Sequence, residues 1–205
     1  MRTLLSVLLG SGLLLLGVSC AGAISPALAC TVPEAVTRFT VPLPATAQAI
    51  RHGTSLVIVT LGSSSTQGVG ASDPAYAYPA LLAEELRHRW PHLQVTVVNQ
   101  GIGGETADQM LARFPRDVLP YQPQLVIWQS GTNQVLARAD IQGYEHTMRT
   151  GIARLKAAHT DVVLLDPQYA PVVLGRPLHQ AIVDAISTVG NDLNVAVFRR
   201  FSVMR

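Results

Sequence analysis

Three short polar clusters hold residue types able to do chemistry. The first, Gly62-Ser63-Ser64-Ser65-Thr66, sets four hydroxyls in a row behind an apolar run. A serine standing free at such a turn has an accessible hydroxyl and an unspent backbone N–H. The same residue types also cap helices and turns, and Ser/Thr/Gly-rich loops can cradle phosphate. The second cluster, Asn99-Gln100-Gly101-Ile102-Gly103-Gly104-Glu105-Thr106, has three glycines that let backbone approach a ligand closely. A backbone N–H at the entrance to the next helix could donate to an oxyanion, although the stretch reads equally as a tight turn opened by Thr106 or Glu105. The third, Ser130-Gly131-Thr132-Asn133-Gln134, offers a neutral side-chain amide, or simply a turn residue, in Asn133. A hydroxyl, a backbone N–H and an amide N–H brought together are the groups that acyl transfer requires.

Whether they meet depends on the elements between them. Apolar, β-branched runs at 56–61, 94–99, 125–130, 162–166 and 195–198 have the length and content of strands buried on both faces. Helical spacing of apolar residues marks 77–90, 106–114, 142–158 and 178–193. The alternation predicts an α/β fold of three layers, α/β/α, with a flavodoxin-like five-stranded parallel sheet of order 2-1-3-4-5. In that order strand 1 lies between strands 2 and 3, so the three clusters leave the sheet side by side at its carboxyl edge. A ligand is expected there.

In this arrangement "GSSST", "NQGIGGET" and "GTNQ" resemble the first three blocks of the SGNH hydrolases, the GDSL-like esterases and lipases. The resemblance runs from about Leu56 to the end of the sequence. It implies a serine hydrolase of carboxylic (O-acyl) esters with Ser64 as nucleophile, and an oxyanion hole from the Ser64 N–H, the Gly104 N–H and the Asn133 side chain. No metal or organic cofactor is implied. The implied substrates are small-molecule, carbohydrate or lipid acyl esters. Leu136, Tyr169 and Val172, which follow strands 3 and 4, could line an acyl pocket or merely pack. Two readings of another class are a flavodoxin-like domain binding phosphate or FMN, and a catalytically inactive relative that binds carbohydrate or a partner.

Two departures from the family pattern stand out. Ser63 occupies the place of the family's usual Asp. The family's general base, a histidine in an Asp-x-x-His block, has no counterpart: the residues three before His52, His88, His92, His146, His159 and His179 are Ala49, Glu85, Arg89, Gly143, Lys156 and Arg176. The expectation is a domain lacking its C-terminal catalytic block and final helix. It would keep an oxyanion hole but turn over little, and would leave apolar sheet surface open.

The remaining composition bounds compartment and partners. One basic residue, an apolar stretch from Leu4 to about Val18 and the Ala27-Leu28-Ala29 site read as a signal peptide over residues 1–29. Lipid attachment at Cys20 is the second choice, and a secreted or periplasmic location follows from either. Residues 30–55, with Pro33, Pro42 and Pro44, are expected to be an extended segment before the domain at 56–205. Both cysteines, Cys20 and Cys30, fall in or beside the leader, so no disulfide framework is expected in the domain. A net charge of +2 without basic runs gives no sign of a nucleic-acid partner, and no stable membrane span is expected after leader cleavage. Arg199-Arg200 reads as solvated surface.

Overall fold

The computed structural model of the chain describes residues 32–205, so the leader, its cleavage site and both cysteines lie outside the described residues. Five strands form one parallel sheet of order β2-β1-β3-β4-β5: β1 Ser55–Gly62, β2 Gln94–Gly101, β3 Leu125–Gln129, β4 Asp161–Leu165 and β5 Ala196–Phe198. The predicted order and strand positions hold. The helices are α1 Pro44–His52, α2 Ser64–Gln67, α3 Tyr78–Arg89, α4 Ala107–Ala112, α5 Thr132–Ala137, α6 Ile141–Ala157, α7 His179–Asp192 and α8 Arg200–Val203, with further single helical turns at Glu34–Thr37, Phe114–Asp117 and Pro171–Leu174. The segment expected to be extended carries α1 instead. Proline at the first position of α1 replaces an N–H that a helix leaves unpaired there, so it starts the helix rather than preventing it. Among the described residues no helix is long and apolar enough to cross a membrane.

Alternation along each strand sends one set of side chains to each face. Val59, Leu61, Val126, Trp128, Val162 and Leu164 face a core closed by Met110, Phe114, Met148, Ile152, Ile182 and Ile186, from the α4 region, α6 and α7. Leu56, Ile58, Leu125 and Val163 face the other way, toward Ile50 of α1 and Leu86 and Trp90 at α3. The first face is the more completely filled: Val59, Leu61, Val126, Trp128 and Leu164 are all 0% exposed.

Trp128 is the centre of that core. Its ring meets Phe114 edge to face at 5.2 Å, and its indole N–H donates to Met110 Sδ at 3.3 Å. Gly151 lets α6 approach the ring, because a Cβ there would lie 2.4 Å from Trp128 Cζ3. Close-packed interiors absorb such an intrusion only by displacing neighbours, at about 1–3 kcal/mol. Gly151→Ala is therefore expected to lower the thermal midpoint by roughly 2–4 °C per kcal/mol lost. An unchanged or higher midpoint would show that the ring has room to move.

Candidate active site

β1 and β2 end side by side, with Gly62 paired to Gly101, and both strand ends are pressed against α2. A Cβ at Gly101 would lie 2.1 Å from the Gln67 backbone nitrogen, so glycine is required by close approach. The four hydroxyls on this turn divide sharply. Ser63 and Thr66 are buried and point into the protein, where Gln129 Oε1 of β3 accepts from Ser63 N at 2.9 Å, Ser63 Oγ at 3.1 Å and Thr66 Oγ1 at 3.2 Å. Ser65 Oγ accepts from Arg200 Nη1 at 3.2 Å. Ser64 is half-buried, and its hydroxyl forms no hydrogen bond among the described residues. The Gln129 amide nitrogen is buried and unpaired, which shows how far its oxygen dictates the orientation.

The β2 loop passes directly over Ser64. Ile102 N donates to Gly62 O at 2.9 Å and Gly103 N to Gln67 Oε1 at 2.9 Å, which ties the loop to the turn that carries Ser64. A Cβ on Gly103 would stand 3.8 Å from Ser64 Cβ. Gly104 is exposed and takes φ +83°, a conformation that favours glycine and turns the chain into Glu105. Thr106 then caps α4, with its N and Oγ1 both donating to Gln109 Oε1. At the end of β3, Asn133 lies in the first turn of α5, half-buried, and Nδ2 donates to Glu105 O at 2.7 Å. One N–H of that amide remains. Ser64, Gly104 and Asn133 thus stand on three neighbouring loops joined by direct hydrogen bonds.

Arg113 clamps this edge from beneath. It is 6% exposed, and it donates from Nε to Glu105 Oε2 at 2.7 Å, from Nη1 to Asp117 Oδ2 at 3.1 Å and from Nη2 to Gln100 O at 2.7 Å, with a longer 3.5 Å contact to Gly62 O. One guanidinium therefore holds the ends of β1 and β2, the glycine loop and the turn Phe114–Asp117. Asp117 is held down to about 2, first by the Arg116 guanidinium on both of its oxygens and then by Arg113, against a burial that pushes the other way.

Beyond β4, Asp166 is 1% exposed, and burial pushes its carboxyl up to about 6 despite the Phe201 N–H donating to Oδ1 at 2.8 Å. Arg200 donates to Asp166 O, Ser65 Oγ and Gln168 Oε1, and Gln168 Oε1 also accepts from Thr132 Oγ1 at 2.8 Å. Arg200 is thus half-buried in a network, correcting the reading of Arg199-Arg200 as surface. None of the six histidines hydrogen-bonds to Ser64; His179 donates from Nδ1 to Arg176 O at 2.7 Å and stacks on Phe201. Tyr169 packs edge to face on Phe201, and Val172 is 55% exposed. Neither clamp nor network was read from the sequence. Arg113 falls within the helical pattern of 106–114, eight residues after Glu105, which was the available signal for the clamp.

A serine on the turn after β1, a glycine loop after β2 and an asparagine after β3 stand at the carboxyl edge of a 2-1-3-4-5 sheet, which defines the class as three-layer α/β/α. Within that class the chain belongs to the non-GDSL lipase-like family, whose model matches residues 29–205, and so to the SGNH hydrolases. It is 29% identical over 144 residues to the Escherichia coli (strain K12) protein named thioesterase 1/protease 1/lysophospholipase L1, a match covering 70% of this chain and 66% of that one. It is 29% identical over 102 residues to an acetylxylan esterase of Geobacillus stearothermophilus, covering 45% of this chain and 47% of that one. The chain therefore spans less than two thirds of the length of these relatives. A solved two-domain esterase active on acetylated mannans shares the fold, with a TM-score of 0.65 and 21% identity over 79% of this chain and 42% of that one.

The two shifted carboxylates give stability opposite dependences on pH. The depressed Asp117 contributes stability present above about pH 4 and lost as pH falls toward 2, whereas the raised Asp166 contributes stability present below about pH 4 and lost as pH rises toward 6. Urea midpoints measured across pH should show Asp117→Asn flattening the acid limb and Asp166→Asn removing the decline between about 4 and 6. Unchanged slopes in both variants would contradict these assignments.

Proposed function

We propose that the chain is an exported hydrolase of carboxylic (O-acyl) esters, with Ser64 as nucleophile. One observation carries this reading: of the four hydroxyls behind β1, Ser64 alone forms no hydrogen bond among the described residues, and it stands beneath the glycine loop to which Asn133 is bonded through Glu105 O. Ser64 Oγ attacks the ester carbonyl carbon, the carbonyl electrons move to oxygen, and the serine proton passes to water, from which the departing alkoxide later takes one back. The resulting oxyanion is held by the Ser64 N–H, the Gly104 N–H and the remaining Asn133 N–H. Collapse expels the alcohol, and water resolves the acyl-enzyme to acid and free serine. The relatives are named for thioesters, lysophospholipids and acetylated sugars, which supports acyl transfer and leaves the alcohol portion open. The leader at 1–29 supports export to the periplasm or beyond, with the hydrolase domain at 56–205.

The phosphate-binding alternative loses support because Ser63 and Thr66 are spent on Gln129 and cannot cradle a ligand. Proton transfer is the weak step. With no base on Ser64 among the described residues, the 205-residue polypeptide is expected to hydrolyse p-nitrophenyl acetate far more slowly than esterases ordinarily do.

Mass-spectrometric mapping after fluorophosphonate treatment tests the nucleophile. The adduct is expected on Ser64 and absent from Ser64→Ala, with labelling slowed about 10²–10³-fold in Asn133→Ala by loss of an oxyanion donor. Equal labelling of Ser64→Ala, or an adduct on another serine, would sink the assignment.

A further inference from the structure

Helix α5, which carries Asn133 in its first turn, starts beyond a sharp bend. Gly131, between β3 and α5, takes φ +101°, and a Cβ there would stand 2.8 Å from Ile182 Cγ2 and 2.9 Å from Pro167 Cγ. The hydrogen bonds that tie Gln129 to the serine turn end before this bend, so they do not fix the first turn of α5. Two contacts fix it from outside. Asn133 Nδ2 reaches Glu105 O on one side, and on the other the buried Thr132 donates from Oγ1 to Gln168 Oε1 at 2.8 Å.

Gln168 passes the second contact on to Arg200, which donates from Nη2 to the same Oε1 at 3.1 Å and from Nη1 to Ser65 Oγ at 3.2 Å. A guanidinium only donates, so it fixes which end of the Gln168 amide faces it, and the Thr132 hydroxyl on that oxygen is then a donor too. The result is a continuous bridge from Ser65 through Arg200 and Gln168 to Thr132, whose two ends are the chain neighbours of Ser64 and Asn133. Arg200 is itself anchored by Nε on Asp166 O at 3.0 Å, and the next residue by Phe201 N donating to Asp166 Oδ1 at 2.8 Å. All three acceptors of Arg200 are neutral, so the planar fork of donors, rather than ion pairing, sets the spacing.

We infer that Arg200 is a positioning residue: through Ser65 on one arm, and through Gln168 and Thr132 on the other, it sets the distance between Ser64 and the Asn133 amide. The two arginines at the carboxyl edge then divide the task. Arg113 holds the ends of β1 and β2 and with them the glycine loop, whereas Arg200 holds the asparagine loop against the serine turn. The functional consequence rests on the hydrolase reading, because an oxyanion shared by Ser64 N and Asn133 Nδ2 is what feels that distance. Misplacement by about 1 Å costs such a site up to about 10²-fold.

The rate at which an alkyl fluorophosphonate labels Ser64 in the 205-residue chain reads the distance. Arg200→Gln is expected to slow labelling about tenfold or more, and Thr132→Val, which removes the hydroxyl and keeps the shape, about fivefold, with Thr132→Ser near the unsubstituted rate. Arg200→Lys keeps the charge without the fork and should be as slow as Arg200→Gln. The decisive arm is the Asn133→Ala background, where Arg200→Gln should slow labelling by less than about twofold, because the group it positions is gone. A merely structural role predicts the same slowing in both backgrounds; that result, or full rescue by Arg200→Lys, would overturn the proposal. Loss of reactivity in Asn133→Ala alone, with every Arg200 and Thr132 variant unimpaired, would overturn the positioning role and leave the hydrolase reading standing. If the unsubstituted chain does not label at Ser64, the hydrolase reading fails, and the bridge is judged on the Asn133 side-chain amide signals in proton–nitrogen correlation spectra. Those signals should move in Arg200→Gln and Thr132→Val and stay in place in Thr132→Ser; unmoved signals would overturn the bridge. Should Arg200→Gln not fold, the two Thr132 variants decide by themselves.

Discussion

The geometry of the site depends on one buried guanidinium. Arg113 reaches the carbonyl of Gln100 at the end of β2, the carbonyl of Gly62 at the end of β1, the Glu105 carboxylate in the glycine loop and Asp117 in the following turn. Strand ends leave carbonyl groups without ladder partners, and a loop held only by its own turns can adopt many conformations. A planar cation with several donors satisfies these groups together and sets their spacing. Two carboxylates compensate the charge, which makes burying it tolerable. Truncating Arg113 would therefore disturb both loops that meet at Ser64.

A second, neutral anchor works from the other side. Gln129 projects from β3 under the turn that carries the four hydroxyls, and its single carbonyl oxygen draws in Ser63 and Thr66. With Ser65 engaged by Arg200, the turn leaves one hydroxyl among four without a hydrogen bond among the described residues. Ser63 thereby performs a structural task, the bridge to β3. Asn133 closes the arrangement by binding the carbonyl of Glu105, the residue whose carboxylate Arg113 holds. Serine turn, glycine loop and asparagine loop are thus one hydrogen-bonded unit.

Much of this was legible in the sequence because it rests on local signals. The strands show as short β-branched runs, the three long helices and the shorter Ala107–Ala112 as apolar residues at helical spacing, and the sheet order follows from their alternation. The three polar clusters were placed at one edge by topology alone. What escaped notice rests on contacts between distant segments. Arg113 pairs with Glu105 and Asp117 within eight residues, a spacing that ordinary helical charges share, while its reach to Gly62 spans 51 residues and Arg200 meets Ser65 across 135. Arg200 read as surface because an Arg-Arg pair ordinarily is solvated, whereas docking of α8 through Phe201 N onto Asp166 draws it inward. Helix α1 escaped because prolines were read as breakers where one of them starts a helix.

The account rests on three donors converging on one point above Ser64. A crystal structure of the chain phosphonylated on Ser64 tests this directly. One phosphonyl oxygen is predicted to lie roughly 2.7–3.1 Å from the Ser64 nitrogen, the Gly104 nitrogen and Asn133 Nδ2 at once. A phosphonyl oxygen turned toward solvent, or bound by other groups while Asn133 spends both N–H bonds within the protein, would contradict it.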